Sequence, residues 1–369
     1  MARSQDNETP REDLLAEFLI DELNKGEKRK IAYNLSIDDA PTKVKYWIPT
    51  GCPPLDIIIS NRRDGGLPCG KMILCEGLES SGKSLLVAHA IASIQKMGGI
   101  AVFIDSESAV SPEFLSAIGV DLTKIVYVQT QDMVVAFSTI EKIIKAVIEK
   151  NVKKPVLVAM DSITALTLPV YLEQGTEAAG YEGAKNASYL SGMLKKLATE
   201  FGNENICFLY TSQMRTKMGA MPNEYGFTST GGLAPVFYAS VRLRLKRKGL
   251  LGDRAKPEGI LTQVETIKNR IGPERRTVTI PIRYDRGIDY YDSVVRDAVD
   301  LGIIEGKAWK CYKANDGREI KYQSNFAPLI EGNVIEEIID KIFEKRQFKY
   351  RTGEITTEDT GVVEIGEME

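Results

Sequence analysis

From about Thr50 to Gly287, short and nearly continuous apolar runs alternate with longer stretches whose apolar residues recur three and four positions apart. Runs 72–76, 101–105, 125–128, 156–160 and 206–211 predict strands buried on both faces, while 84–97, 134–149 and 185–201 predict helices. The alternation predicts an α/β fold, with a largely parallel, twisted sheet flanked by helices. Runs 241–247, 260–267 and 278–282 alternate apolar and polar residues more strictly and predict an antiparallel extension. Ahead of this core of residues 50–287, Leu14, Leu15, Phe18, Leu19 and Leu23 recur at helical spacing. Residues 1–49 therefore predict an N-terminal oligomerisation arm with a helix that has one apolar face and needs a partner for it. Residues 288–350 predict a small C-terminal α+β domain, and residues 351–369 an acidic, disordered tail.

The first predicted strand runs into Gly77-Leu78-Glu79-Ser80-Ser81-Gly82-Lys83-Ser84, then Leu85, where a helix is expected. This is the phosphate-cradling pattern G-x-x-x-x-G-K-[ST], a strand-to-helix loop whose glycines let backbone N–H groups curl around an anion. The following helix adds its positive dipole end. Lys83 is expected to reach the β and γ phosphates of a nucleoside triphosphate, and Ser84 to hold Mg2+.

Composition narrows the setting. A chain of 369 residues, 43% hydrophobic, has the balance of a soluble globular protein rather than a disordered one. No apolar stretch approaches the roughly 18 residues that span a bilayer, and MARSQDNETPRED lacks a signal-peptide apolar region, so no membrane association is expected and a cytoplasmic protein is. Cys52, Cys69, Cys75, Cys207 and Cys311 are scattered, without CxxC spacing, which predicts reduced, mostly buried thiols rather than disulfides or a zinc site. The lone histidine, His89, is expected to serve packing. Net charge is −3, but Thr352–Glu369 carries six acids and neither Lys nor Arg; without it, 48 cations face 45 acids. A mildly basic body with an acidic terminus suits a protein that handles an anionic polymer; a solubilising tail fits the same composition.

Other chemistry clusters at predicted strand ends. Phe103-Ile104-Asp105-Ser106-Glu107 puts carboxylates at the carboxyl end of a parallel strand, where open α/β sheets bind ligands, and Glu107 is placed to polarise a water. Pro155-Val-Leu-Val-Ala-Met160 ends in Asp161-Ser162, the position of an Mg2+-orienting aspartate. Ile206–Thr211 ends in Ser212-Gln213 and releases a polar loop, Met214 to Gly232. Its Arg215 and Lys217 offer charge to phosphates, and Met218, before Gly219, can wedge between bases. Lys268-Asn269-Arg270 reads either as an exposed charged turn or as a cationic clamp.

The ordered segments PTGCPPLDIII, GGLPCGKMILCEGLESSGKS, FIDSESAVSP, VAMDSITALTLP, SQMRTKMGAM, STGGLAPVFYASVRLRL and ETIKNRIGP resemble the RecA recombinase family, including bacteriophage UvsX-type members, from about residue 49 to 290, and more weakly to about 325. The resemblance implies a RecA-type P-loop ATPase core that takes ATP and Mg2+. In it Lys83 and Ser84 bind phosphate and Mg2+, Glu107 activates water, Asp161 holds Mg2+ through water, and Gln213 couples the γ-phosphate to the DNA loop. It also implies that Phe114 and Tyr284 pack around adenine, that Lys268 and Arg270 reach the ATP of a neighbouring protomer, and that Phe237 lies at a protomer contact. Arg215, Lys217, Met218 and Gly219, with Gly231 and Gly232 closing the loop, would bind DNA. Three places depart from the bacterial pattern. Ser111 replaces an acid near the adenine, Ser212 an asparagine, and residues 167–185 keep little of the first DNA loop beyond Gly175, Gly180 and Gly183.

The implied activity is that of a DNA-dependent ATPase and homologous recombinase. It would form head-to-tail helical filaments on single-stranded DNA, pair that strand with homologous duplex DNA, and work with single-strand-binding and mediator proteins in a bacterial cell or phage-infected host. A hexameric helicase, a DNA-binding regulator with negligible turnover and a small-molecule kinase are rival readings of the same phosphate loop.

Overall fold

The computed structural model describes residues 11–350 apart from 28–29, 36–42, 109, 175–178, 203, 217–226, 230–232, 307–308, 323–328 and 330–332. The strands are β1 (Trp47–Ile48), β2 (Leu67–Pro68), β3 (Met72–Gly77), β4 (Ile100–Asp105), β5 (Ile125–Gln129), β6 (Val156–Asp161), β7 (Ile206–Thr216), β8 (Phe227–Ser229), β9 (Val241–Asp253), β10 (Lys256–Asn269), β11 (Thr277–Arg283), β12 (Gly287–Ile288), β13 (Lys310–Lys313) and β14 (Glu319–Tyr322). The helices are α1 (Arg11–Asn24), α2 (Pro53–Ser60), α3 (Lys83–Lys96), α4 (Pro112–Ile118), α5 (Met133–Glu149), α6 (Pro169–Gln174), α7 (Ala179–Phe201), α8 (Ala234–Tyr238), α9 (Tyr290–Asp300) and α10 (Val334–Arg346).

The main sheet runs β12-β11-β10-β9-β3-β7-β6-β4-β5, with β8 paired to β7. From β9 to β5 every neighbouring pair is parallel, and from β9 to β12 every pair is antiparallel. The central strands β3 and β6 are buried at every residue, which is why they read as apolar runs, broken in β3 by Glu76 and closed in β6 by Asp161. The edge strand β5 leaves Val126 and Tyr127 exposed. One apolar layer packs α3 against Ile73, Cys75, Leu157 and Leu243; the other packs α5 and α7 against Leu74, Val158, Phe208 and Tyr210. A third cluster joins α9, α10 and Tyr312 with Ile57 of α2.

The polypeptide turns between strand and helix where the sequence supplies caps. Asp132 Oδ1 accepts the N–H groups of Val134 and Val135 and starts α5; Ser111 Oγ accepts that of Phe114 and starts α4. Strand β7 is longer than the apolar run predicts. It continues through Ser212, Gln213 and Met214 to Thr216 because β8 folds back on it, with Arg215 opposite Thr228.

His89 fastens α3 to β12: the Ile288 N–H donates to its Nε2 at 2.8 Å. Burial, with a smaller push from Lys96, lowers its pKa to about 4. A neutral ring is thus required in the folded state, whereas the unfolded chain protonates at about 6.5. Stability is therefore complete above about pH 6.5 and falls as pH drops toward 4, by up to about 3 kcal/mol. His89→Gln should flatten this part of a plot of melting temperature against pH; an identical slope in the two proteins would refute the assignment.

Candidate functional site

The phosphate loop bends because Ser80 and Gly82 take left-handed conformations, φ 55° and 96°. At Gly77 a Cβ would lie 2.6 Å from Leu245 O and from Ser81 Oγ, so only glycine fits there. Thr262 of β10 donates to Ser81 O at 3.1 Å and Ser81 Oγ to Leu78 O at 2.7 Å, fixing the crest of the loop. Lys83 is buried, and its ammonium donates to Gly77 O at 3.1 Å and Leu78 O at 2.8 Å. A cation thus sits inside the loop at the N-terminus of α3, where a phosphate would meet it and the helix dipole together. Glu79 and Ser80 are exposed on the rim, while Leu85 anchors the helix in the core.

Four neighbouring parallel strands bring the remaining groups to one end of the sheet. Gly77 is in register with Gln213, and Asp105 with Asp161. Asp161 is 6% exposed and accepts the hydroxyl of Thr211. Burial raises its pKa, against the opposing pull of the Ser84 and Thr211 hydroxyls; Glu107 adds to the rise and Lys83 offsets it. A carboxylate beside a serine hydroxyl is a hard oxygen pair, the donor set that suits Mg2+ carried on phosphates. The glycine-shaped loop, Lys83 and this pair fit ATP with Mg2+.

Glu107 is exposed, and its Oε1 accepts Ser162 Oγ at 2.6 Å and Gln213 Nε2 at 3.1 Å. Asp105 does not face the same opening. It is buried, takes the N–H groups of Glu107 and Ser108 at 3.0 and 2.7 Å and the Tyr127 hydroxyl at 2.9 Å, and so shapes the turn that presents Glu107. Ser106 ties that turn to the next strand: its Oγ donates to Ser162 O at 2.7 Å and receives Ser162 N–H at 2.8 Å. Thr164 Oγ1 stands 2.8 Å from Ser162 Oγ and accepts Gln213 N–H at 3.5 Å. Ser106, Ser162, Thr164 and Thr211 are the supports that motif reading missed. Small hydroxyl residues after apolar strands were the only signal.

Lys268 Nζ bonds Phe237 O at 2.7 Å and Val236 O at 3.4 Å on α8, 5.9 Å from the centre of the exposed Phe237 ring. Arg270, at the end of the same strand, is exposed. Tyr284 is exposed beyond β11, and Phe114 packs on the α3 side of the core. Of the DNA-loop residues, Arg215 is placed by its backbone in β7, while Lys217, Met218, Gly219, Gly231 and Gly232 lie outside the described residues.

The family model for the RecA N-terminal domain matches residues 27–289. Among similar proteins, the protein RecA of Cereibacter sphaeroides is 32% identical over 307 residues, spanning 83% of this chain and 86% of that protein. That of Mycobacterium ulcerans is 34% identical over 301 residues, 81% and 83% of the two chains. That of Thermotoga neapolitana is 33% identical over 318 residues, 84% and 86% of the two.

Proposed function

This chain belongs to the RecA family, and from that premise we propose how its own residues carry out the work of an ATP-dependent recombinase. It is a DNA-dependent ATPase that uses ATP and Mg2+, binds DNA and forms filaments. The observation that carries the residue assignment is the convergence of Lys83, Gln213, Asp161 and Glu107 at the carboxyl ends of the adjacent strands β3, β7, β6 and β4.

Bound Mg2+–ATP supplies the phosphoryl group that water attacks. Lys83 turns from the carbonyls of Gly77 and Leu78 to phosphate oxygens, and Ser84, with Asp161 through water, would hold the metal. Glu107 accepts the proton of the attacking water at its carboxylate, which Ser162 and Gln213 keep in place. Gln213 lies on the strand that continues into the segment 217–232, so contact between its amide and the γ-phosphate is transmitted along β7 to Arg215 and the DNA-binding residues Lys217, Met218, Gly219, Gly231 and Gly232. Phe114 and Tyr284 flank the base.

Filament growth uses surfaces that a lone protomer leaves bare. Leu15, Phe18, Leu19 and Leu23 of α1 are exposed, as are Val126, Tyr127, Val134 and Val135 beside the edge strand β5. An apolar arm on one protomer and an apolar strand edge on the next form a head-to-tail contact that repeats without closing. Lys268 and Arg270 act across this contact on the neighbour's ATP. Substituting both with alanine should leave the protomer folded and lower DNA-dependent turnover at least about tenfold, as losing a cation supplied in trans would. Unchanged turnover would exclude the clamp.

The division of labour follows the chain: residues 1–49 as the arm, 50–287 as the ATPase core, 288–350 as a small accessory domain and 351–369 as an acidic tail. Single-stranded DNA and a homologous duplex are the substrates, with single-strand-binding and mediator proteins as helpers in a bacterial or phage-infected cytoplasm. No helix among the described residues is long and apolar enough to cross a membrane. The testing experiment is ATP hydrolysis with and without single-stranded DNA over a range of protein concentrations, followed by strand exchange. Strong DNA stimulation with a cooperative concentration dependence is expected, and DNA-indifferent hydrolysis would overturn the reading.

A further inference from the structure

Glu76 stands one residue before the phosphate loop, near the carboxyl end of an apolar strand, and its side chain is 0% exposed. Two arginines of β9 grip it side-on. Arg242 Nε and Nη2 are each 2.8 Å from Oε2, and Arg244 Nε and Nη2 are each 2.8 Å from Oε1. Arg244 lies directly across from Glu76 in the parallel β3–β9 pair, and Arg242 directly across from Lys268 in the β9–β10 pair. One carboxylate is therefore shared by two cations, and one of them, Arg242, shares a sheet face with Lys268.

We propose that Glu76 is a positioning residue for Lys268: it locks β9 to the phosphate-loop strand and compensates Arg242, so that Lys268 keeps its charge and its place at the protomer surface. This rests on the reading of Lys268 as a cation that reaches a neighbour's nucleotide. The surroundings of Lys268 make the compensation matter. Just past its own strand lies Arg270, β9 contributes Arg242, and α8 contributes the carbonyls of Val236 and Phe237 and the Phe237 ring. Lys71 lines the same recess as Phe237 and Arg270. Beyond Arg242, the Tyr210 hydroxyl donates to Pro235 O at 2.6 Å, and on β10 Glu265 pairs with Arg275 at 3.5 Å. Burial lowers the pKa of Lys268, and Arg270 and Arg242 lower it further. Protonated Lys268 is the working form, so the function that depends on it is lost as pH rises through this lowered value. Without Glu76, the charge of Arg242 acts on Lys268 unopposed, and a buried pair broken on one side leaves its partner charge stranded.

The test is the alkaline limb of the pH profile of single-stranded-DNA-dependent ATP hydrolysis, read on the full chain at saturating ATP. Glu76→Gln should move that limb to lower pH, because it removes the negative charge beside Arg242, whose own charge already lowers the pKa of Lys268. Arg242→Gln, which leaves Glu76 paired with Arg244 and removes the repulsion, should move it to higher pH. A role confined to holding the sheet together would lower turnover in both variants without moving either limb. Should Glu76→Gln fail to fold, Arg242→Gln alone decides by the direction of its shift. Limbs that coincide with the wild type's in the folded variants overturn the proposal. If Lys268→Ala with Arg270→Ala leaves turnover intact, the trans clamp itself falls and the proposal with it; if that double variant is impaired while the limbs stay fixed, only the role of Glu76 falls.

Discussion

Lys83→Ala is expected to abolish ATP binding, and with it hydrolysis and strand exchange, while leaving a folded protomer. The Lys83 ammonium donates to carbonyls inside the loop, at Gly77 O and Leu78 O, and it is largely shielded from water. Charge-assisted hydrogen bonds to phosphate in such a place exceed those of neutral donors roughly twofold. Affinity for Mg2+–ATP should drop at least about a hundredfold, equivalent to about 2.7 kcal/mol. Folding costs less, because the two carbonyls face a loop that water can enter; about 1 kcal/mol per lost bond is the expected scale. Titration with a fluorescent ATP analogue measures the first quantity, and chemical denaturation the second. Nucleotide affinity within about threefold of the wild type's would remove Lys83 from the site.

The phosphate loop was legible because its parts are contiguous: a buried strand, two glycines that no larger residue can replace, a lysine and a helix start all fall within fourteen residues of Met72–Leu85. Asp161 and Glu107 were legible for a related reason, since each follows an apolar run that a parallel sheet must bury. What joins them was not. The bonds from Ser162 and Gln213 to Glu107 span 55 and 106 positions and exist only because β7, β6 and β4 lie side by side in an order that the chain does not follow. The alternation of β9 was read correctly as strand, yet it misleads about exposure. Polar positions on such a strand are expected to face water, whereas Arg242 and Arg244 are 16% exposed and turn to a buried glutamate. Glu76 left no local signal, as one acid in an apolar strand reads the same whether it is paired or at an edge. The 206–211 strand was read too short because Ser212, Gln213 and Thr216 lack apolar character; pairing with β8, a tertiary effect, carries the strand on.

Glu107→Gln separates catalysis from binding more cleanly than any loop substitution. Glutamine keeps the length and the oxygen that can accept the Ser162 hydroxyl, now 2.6 Å away, so the turn set by Asp105 should persist. It cannot take a proton from water. Turnover should fall by about two to three orders of magnitude, the usual worth of a positioned base, with KM for ATP changed only a few-fold. The consequence for DNA runs the other way. If the γ-phosphate holds Gln213, and through β7 the DNA-binding segment, then a protein that binds ATP but does not cleave it should stay on single-stranded DNA longer than the wild type. Release of labelled DNA into excess competitor should slow roughly in step with turnover. Slow hydrolysis with wild-type release would break the link between Gln213 and the DNA loop while leaving Glu107 as the base. Unchanged hydrolysis would transfer that role to another group; of the buried carboxylates at this end of the sheet, Asp161 is engaged by Thr211 and Ser84, and Asp105 by the Glu107 and Ser108 N–H groups and the Tyr127 hydroxyl.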